Sequence, residues 1–135
     1  MESCFYIKRY KLKRKIKFDN YLDVIQFGFY GIQSLQFGFI LSSQIEVIRF
    51  LITRITKRIC FLIIRVFFIH PITKKSLKSR MGKGIGAVKY WIAYIKKGTT
   101  ILEISNITKK LGIILFRCIL KFISLKIGFI HRRII

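Results

Sequence analysis

Apolar positions change period along the chain, and each change marks an element. Ile45, Ile48, Leu51, Ile52 and Ile55 fall on one arc of a helical wheel, with Arg49, Thr53, Arg54, Lys57 and Arg58 opposite. Ser43 and Glu46 have the Ser-x-x-Glu spacing of a capping box, so the pattern predicts a helix opening there. Strand-forming residues fill 61–69 and end at His70-Pro71. Residues 73–86 read as a basic connection. Two further strand-like runs, 88–95 and 99–104, flank Lys96-Lys97-Gly98, which predicts a hairpin. Ser105 or Asn106 is placed to cap a second helix over 107–124. Its polar positions, Lys110, Arg117, Lys121 and Ser124, form one narrow stripe, so it needs cover on more than one side. A last strand is predicted over 127–130.

Ahead of the first helix, Phe27-Gly28-Phe29-Tyr30-Gly31 and Phe37-Gly38-Phe39 read as short strands with bends. Their rings are expected mostly in the core, with base stacking as the functional alternative. The whole is α+β: a compact single domain with a mixed or antiparallel sheet, two packed helices and a basic N-terminal arm. The expected division is an arm and junction over 1–26 and a domain over 27–135.

Charge changes the picture most. Among 135 residues, 27 are Lys or Arg and 5 are Asp or Glu, a net charge of +22. Such an imbalance repels itself and calls for a polyanion: RNA, DNA or an anionic membrane surface. The cations are spread along the chain, which implies contact on several faces. The apolar composition is skewed, with 28 Ile, 13 Phe and 1 Pro. Ile, Phe and Lys have A/T-rich codons, so an A/T-biased organelle gene is the simplest explanation. No uncharged apolar run approaches the roughly 20 residues of a membrane span. Cys4, Cys60 and Cys118 lack metal-site spacing, and no metal or cofactor is implied.

The segment Arg80-Met81-Gly82-Lys83-Gly84-Ile85-Gly86 carries the candidate chemistry. Three glycines are costly to order, and a ligand drawn close to the backbone offsets that cost. The cations make that ligand anionic; phosphate and ribose fit. Taken alone, a flexible hairpin tip is the commoner meaning of such a loop. The acids Glu2, Asp19, Asp23, Glu46 and Glu103 form no dyad, and no nucleotide-binding loop is present, so the chain reads as a non-enzyme. Residues 1–19 form a basic arm in which Lys8, Arg9, Lys11, Lys13 and Arg14 are candidate phosphate contacts.

In order along the chain stand Gln44-Ile45-Glu46, Arg54, Lys57-Arg58, Ile64-Arg65-Val66-Phe67, Pro71-Ile72-Thr73-Lys74, Arg80-Met81-Gly82-Lys83-Gly84, Tyr90-Trp91-Ile92-Ala93 and Leu102-Glu103-Ile104. This series resembles the large-subunit ribosomal protein L-sixteen family of bacteria and organelles. Ile85 stands where the family usually has lysine, and Ser76 where it commonly has proline. The resemblance implies an α+β domain wedged between rRNA helices beside the tRNA passage, supporting subunit assembly and tRNA placement. It implies rRNA, tRNA and neighbouring ribosomal proteins as partners. Its binding residues would be Arg80, Met81, Gly82, Lys83, Gly84 and Gly86 of the loop, Lys74, and Arg54, Lys57 and Arg58 of the first helix, with the arm cations. The shortened arm junction and heavy compositional drift point to a mitochondrial ribosome rather than a plastid one. The apolar wheel of 111–122 is expected to meet an organelle-specific protein. The competing readings are a basic membrane-surface protein and a free-standing RNA chaperone. Neither accounts for the ordered motif series.

Overall fold

A computed structural model describes residues 24–76, 80, 82 and 84–132. Its elements are β1 (Tyr30–Ser34), β2 (Gly38–Leu41), α1 (Ser42–Ile55), β3 (Phe61–Ile64), β4 (His70–Lys74), β5 (Ala87–Ile95), β6 (Thr100–Ser105), α2 (Lys109–Ile119) and β7 (Ile127–His131). They form two sheets rather than one, ordered β3-β6-β1-β7 and β2-β5-β4, and every strand pair is antiparallel. Ile40 and Ile95 of the smaller sheet, Ile32, Ile101 and Ile104 of the larger one, and Ile45, Ile48 and Ile52 of α1 share one core with Leu115 and Ile119 of α2. The period-3.6 arc of α1 is thus the buried one, as its spacing requires.

The strand expected over 61–69 is cut short, and residues 65–69 are not strand. β3 ends at Ile64, the chain leaves the larger sheet after the Arg65 N–H donates to the Ile101 carbonyl at 3.0 Å, and β4 begins at His70 in the other sheet. Pro71, read as a breaker, lies inside β4. The position is tolerated because β4 is an edge strand, where a missing N–H need not break a ladder.

The hairpin expected across Lys96-Lys97-Gly98 does not form. The turn exists, with the Thr99 N–H on the Lys96 carbonyl and Gly98 at φ 88°. Its remaining bonds go to the end of β1: the Gly98 N–H donates to the Ser34 carbonyl at 2.8 Å, and the Ser34 N–H to the Thr99 carbonyl at 3.0 Å. β1 therefore draws β6 into the larger sheet while β5 stays in the smaller one.

Both helix starts are displaced. At α1 the Leu41 N–H donates to Gln44 Oε1 at 3.0 Å, and Glu46 pairs with Arg49 at 3.0 Å instead of capping. Thr108, not Ser105 or Asn106, caps α2 through Leu111. Asn106 holds a left-handed turn at φ 61° and donates Nδ2 to the Ile59 carbonyl. α2 stops at Ile119 rather than 124. It buries Gly112, Leu115 and Ile119 and leaves Ile113 and Ile114 exposed, so the described residues cover one face only. Of the early rings, Tyr30 is buried and stacks on Phe129. Phe27, Phe29 and Phe39 are exposed, against the expectation of core burial. Among the described residues no helix is long and apolar enough to cross a membrane.

Candidate nucleic-acid interface

β4 and β5 form a ribbon whose far end is the 75–86 connection, with Lys74 opposite Ala87. Alternating apolar residues make the strands, and the run of lysines and glycines after Thr73 ends them. Lys74, Lys75, Arg80 and Lys89 converge there on an open cleft of about 780 Å³, lined also by the backbone of Gly82, Gly84 and Gly86. The Lys75 ammonium donates to the Gly82 carbonyl and ties the two sides together. The Lys89 ammonium lies 5.1 Å from the centre of the Tyr90 ring.

The three glycines differ. A Cβ on Gly86 would stand 2.4 Å from the Lys74 carbonyl oxygen and 2.6 Å from the Lys75 nitrogen, so its close approach is to its own chain. A Cβ on Gly82 or Gly84 would meet nothing within 4 Å. Both positions face open space on the side a Cβ would occupy, although the Gly82 carbonyl is taken by Lys75.

Of the other expected binding residues, Arg54, Lys57 and Arg58 are exposed at the end of α1 and do not line the cleft. Lys57 and Arg58 hold φ of 50° and 64°, uncommon for residues with a Cβ. Bonds from the Arg58 N–H to the Thr53 carbonyl and from the Ile59 N–H to the Thr56 carbonyl support that turn. Arg54 sits in the last turn, where a cation opposes the negative helix end. Met81 and Lys83 of the loop, and Lys8, Arg9, Lys11, Lys13 and Arg14 of the arm, lie outside the described residues.

Sequence reasoning missed Lys75 and Lys89 as cleft residues. The doublet Lys74-Lys75 and the placing of Lys89 beside Tyr90-Trp91 were the available signals. It also missed what Glu103 does. This side chain is fully buried. Its carboxylate accepts the backbone N–H groups of Gln26, Phe27 and Gly28 at 3.2, 2.8 and 2.9 Å. It also accepts from Arg65 Nη1 at 2.7 Å. Burial alone pushes the group up. The Phe27 N–H, the Arg65 guanidinium and the Gly28 and Gln26 N–H groups outweigh it, and the carboxyl lies below its ordinary value. Glu103 thereby fastens the segment entering β1 to the exit of β3.

The electrostatic result follows. The described acids are Glu103, committed to four donors, and Glu46, paired with Arg49 on α1. No described carboxylate neutralises the cleft. Among the described residues no group of His, Cys, Asp or Glu is arranged to hold a metal ion. The arrangement suits an extended anion lying against main chain, with cations on both banks.

Comparison with known proteins agrees. The sequence profile of the family Ribosomal protein L16p/L10e matches residues 6–130. The large ribosomal subunit protein uL16c of Euglena longa is 48% identical over 104 residues, covering 77% of this chain and 74% of that protein. The uL16 of Buchnera aphidicola is 41% identical over 108 residues, covering 80% and 79%. The uL16c of Thalassiosira pseudonana is 41% identical over 109 residues, covering 81% and 80%. These relatives are plastid or bacterial proteins, which overturns the mitochondrial expectation. A/T-driven composition reports the bias of a genome and does not tell one organelle from another. With the motif order, the fold and a match spanning nearly its whole length, the chain belongs to the ribosomal protein L16p/L10e family, whose members are structural and non-catalytic.

Proposed function

We propose that this chain is a structural constituent of the large subunit of a plastid-type ribosome, where it binds rRNA beside the tRNA passage and helps to place tRNA. The observation that carries this is the cleft: four cations around two glycines open on the side a Cβ would occupy, with no described acid to neutralise them. Phosphates engage Lys74, Lys75, Arg80 and Lys89, and ribose or phosphate oxygens approach the main chain at Gly82 and Gly84, where no side chain stands in the way. Lys83 and Met81 belong to the same loop. Arg54, Lys57 and Arg58 form a second, separate contact at the end of α1, and the arm cations a third. Several contacts spread over one body suit a protein wedged between RNA helices. The exposed Ile113, Ile114 and Phe122 beside Arg117 and Lys121 are where an organelle-specific protein neighbour packs in this reading.

The test is replacement in organelles. Arg80→Ala with Lys83→Ala should impair subunit maturation or tRNA binding more than Arg132→Ala with Arg133→Ala, and should lower the slope of log affinity against log salt by about 1 per lost phosphate contact. Equal particle profiles and equal tRNA affinity for the two pairs count against the cleft. Co-sedimentation with large subunits after detergent separates this reading from a membrane-surface protein.

A further inference from the structure

The outer face of the smaller sheet carries rings that the cleft does not use. Register sets Phe39 opposite Tyr94 and Ile72 opposite Tyr90. Partners across a ladder share a face, as do residues two apart on one strand. These four side chains therefore point the same way. Ile40, Ala93 and Ile95 point the other way and are buried. The rings themselves stay open, with Phe39 49%, Tyr90 42% and Tyr94 37% exposed, while Ile92, between the two tyrosines on the same face, is buried. His70 packs edge-on against Tyr94 with centroids 4.9 Å apart, which limits that ring's freedom.

The ends of this face are cationic. One runs into the cleft at Lys74 and Lys89; the other continues from Ile95 into Lys96-Lys97. No described carboxylate stands free to balance either end, because Glu46 and Glu103 are both engaged elsewhere. Exposed flat rings on one face, with positive charge before and after them, match an occupant that is aromatic along its middle and anionic throughout. An apolar protein surface would fit the rings and leave the lysines without partners.

We propose that this face is a stacking platform for unpaired RNA bases, with Phe39 and Tyr94 as its principal rings. The backbone of that RNA runs from the Lys96-Lys97 end towards the cleft. The proposal rests on the RNA-binding reading above and assigns a second, charge-independent contact to it. Stacking is tolerant of base identity, so the platform adds affinity without reading sequence.

The experiment uses the full-length chain and a short single-stranded oligoribonucleotide of mixed sequence, with binding followed by anisotropy across a salt series. Phe39→Ala with Tyr94→Ala removes two exposed rings. It should weaken binding about tenfold or more while leaving the salt slope unchanged. Phe39→Tyr with Tyr94→Phe should bind like the parent. If the alanine pair binds like the parent while Arg80→Ala with Lys83→Ala weakens binding, the platform is wrong and the cleft stands. If the alanine pair flattens the salt slope, the rings act only by placing the lysines, which also overturns the platform. If the parent chain binds no RNA above background, both readings fall. In purified large subunits, ultraviolet cross-linking should yield nucleotide adducts on Phe39 or Tyr94. Adducts confined to the cleft, or a protein cross-linked to these rings, would overturn the proposal.

Discussion

β6 and the ribbon of β4 and β5 are neighbours in sequence and opposites in environment. β6 is buried along nearly its whole length, and its charged residue is satisfied by four donors within the chain. The ribbon is exposed through its outer half, and its cations face solvent across a cleft without described acids. In the first region charge is fully neutralised internally, so it serves stability. In the second it is left for something outside, so it serves binding. The same residue types therefore mean different things, and the partner of each charge is what separates them.

Removing the buried carboxylate should break this contrast most severely. Glu103→Ala leaves Arg65 and three backbone N–H groups short of their acceptor and should cost about 3–5 kcal/mol, read as a fall in the thermal or denaturant midpoint. Its sign with pH is fixed. The folded carboxyl lies below its unfolded value of 4.5, so its contribution is present above that pH and is lost as pH falls through the lower folded value. Stability of the parent chain should drop with acid in that window, and Glu103→Gln should flatten the dependence. An unchanged acid profile in Glu103→Gln would show that the clip does not contribute.

The glycines sharpen the comparison at intermediate size. Gly86→Ala drives a Cβ into the Lys74 carbonyl and should destabilise by about 1–3 kcal/mol whether or not RNA is present. Gly82→Ala meets no described atom within 4 Å and should stay within about 1 kcal/mol of the parent in isolation. Its loss should appear only in rRNA binding or particle assembly. A Gly82→Ala chain that assembles normally would mean that no ligand approaches that backbone. The smallest effect belongs to the exposed Glu46–Arg49 pair on α1. Glu46→Ala should change stability by about 0.5 kcal/mol at most, because solvent screens such pairs. A larger loss would give α1 an electrostatic role that its position does not explain.

Local pattern made much of this molecule legible. The buried arc of α1 and the strands β5, β6 and β7, each within a residue of its expected bounds, follow from residue spacing over a few positions. The cleft was half visible: Lys74, Arg80 and the glycines stood out, whereas Lys75 and Lys89 did not, because each enters through which way its neighbouring strand faces. Glu103 looked like an isolated acid in an apolar run. Its partners are 38 to 77 residues away, and nothing nearby announces them. Ser43 and Glu46 met the spacing of a cap, but spacing alone could not show that Leu41 would take the capping position.

The amino-acid order by itself determined the periods of the elements, the excess positive charge and the loop that concentrates it, since each depends on residues close together in the chain. Tertiary structure alone decided that β5 and β6 part into different sheets, that Pro71 lies on an edge, that Gly86 is crowded by its own backbone and that Glu103 is satisfied. Those outcomes depend on which distant strand supplies the hydrogen bonds, and a local pattern holds no record of distant partners.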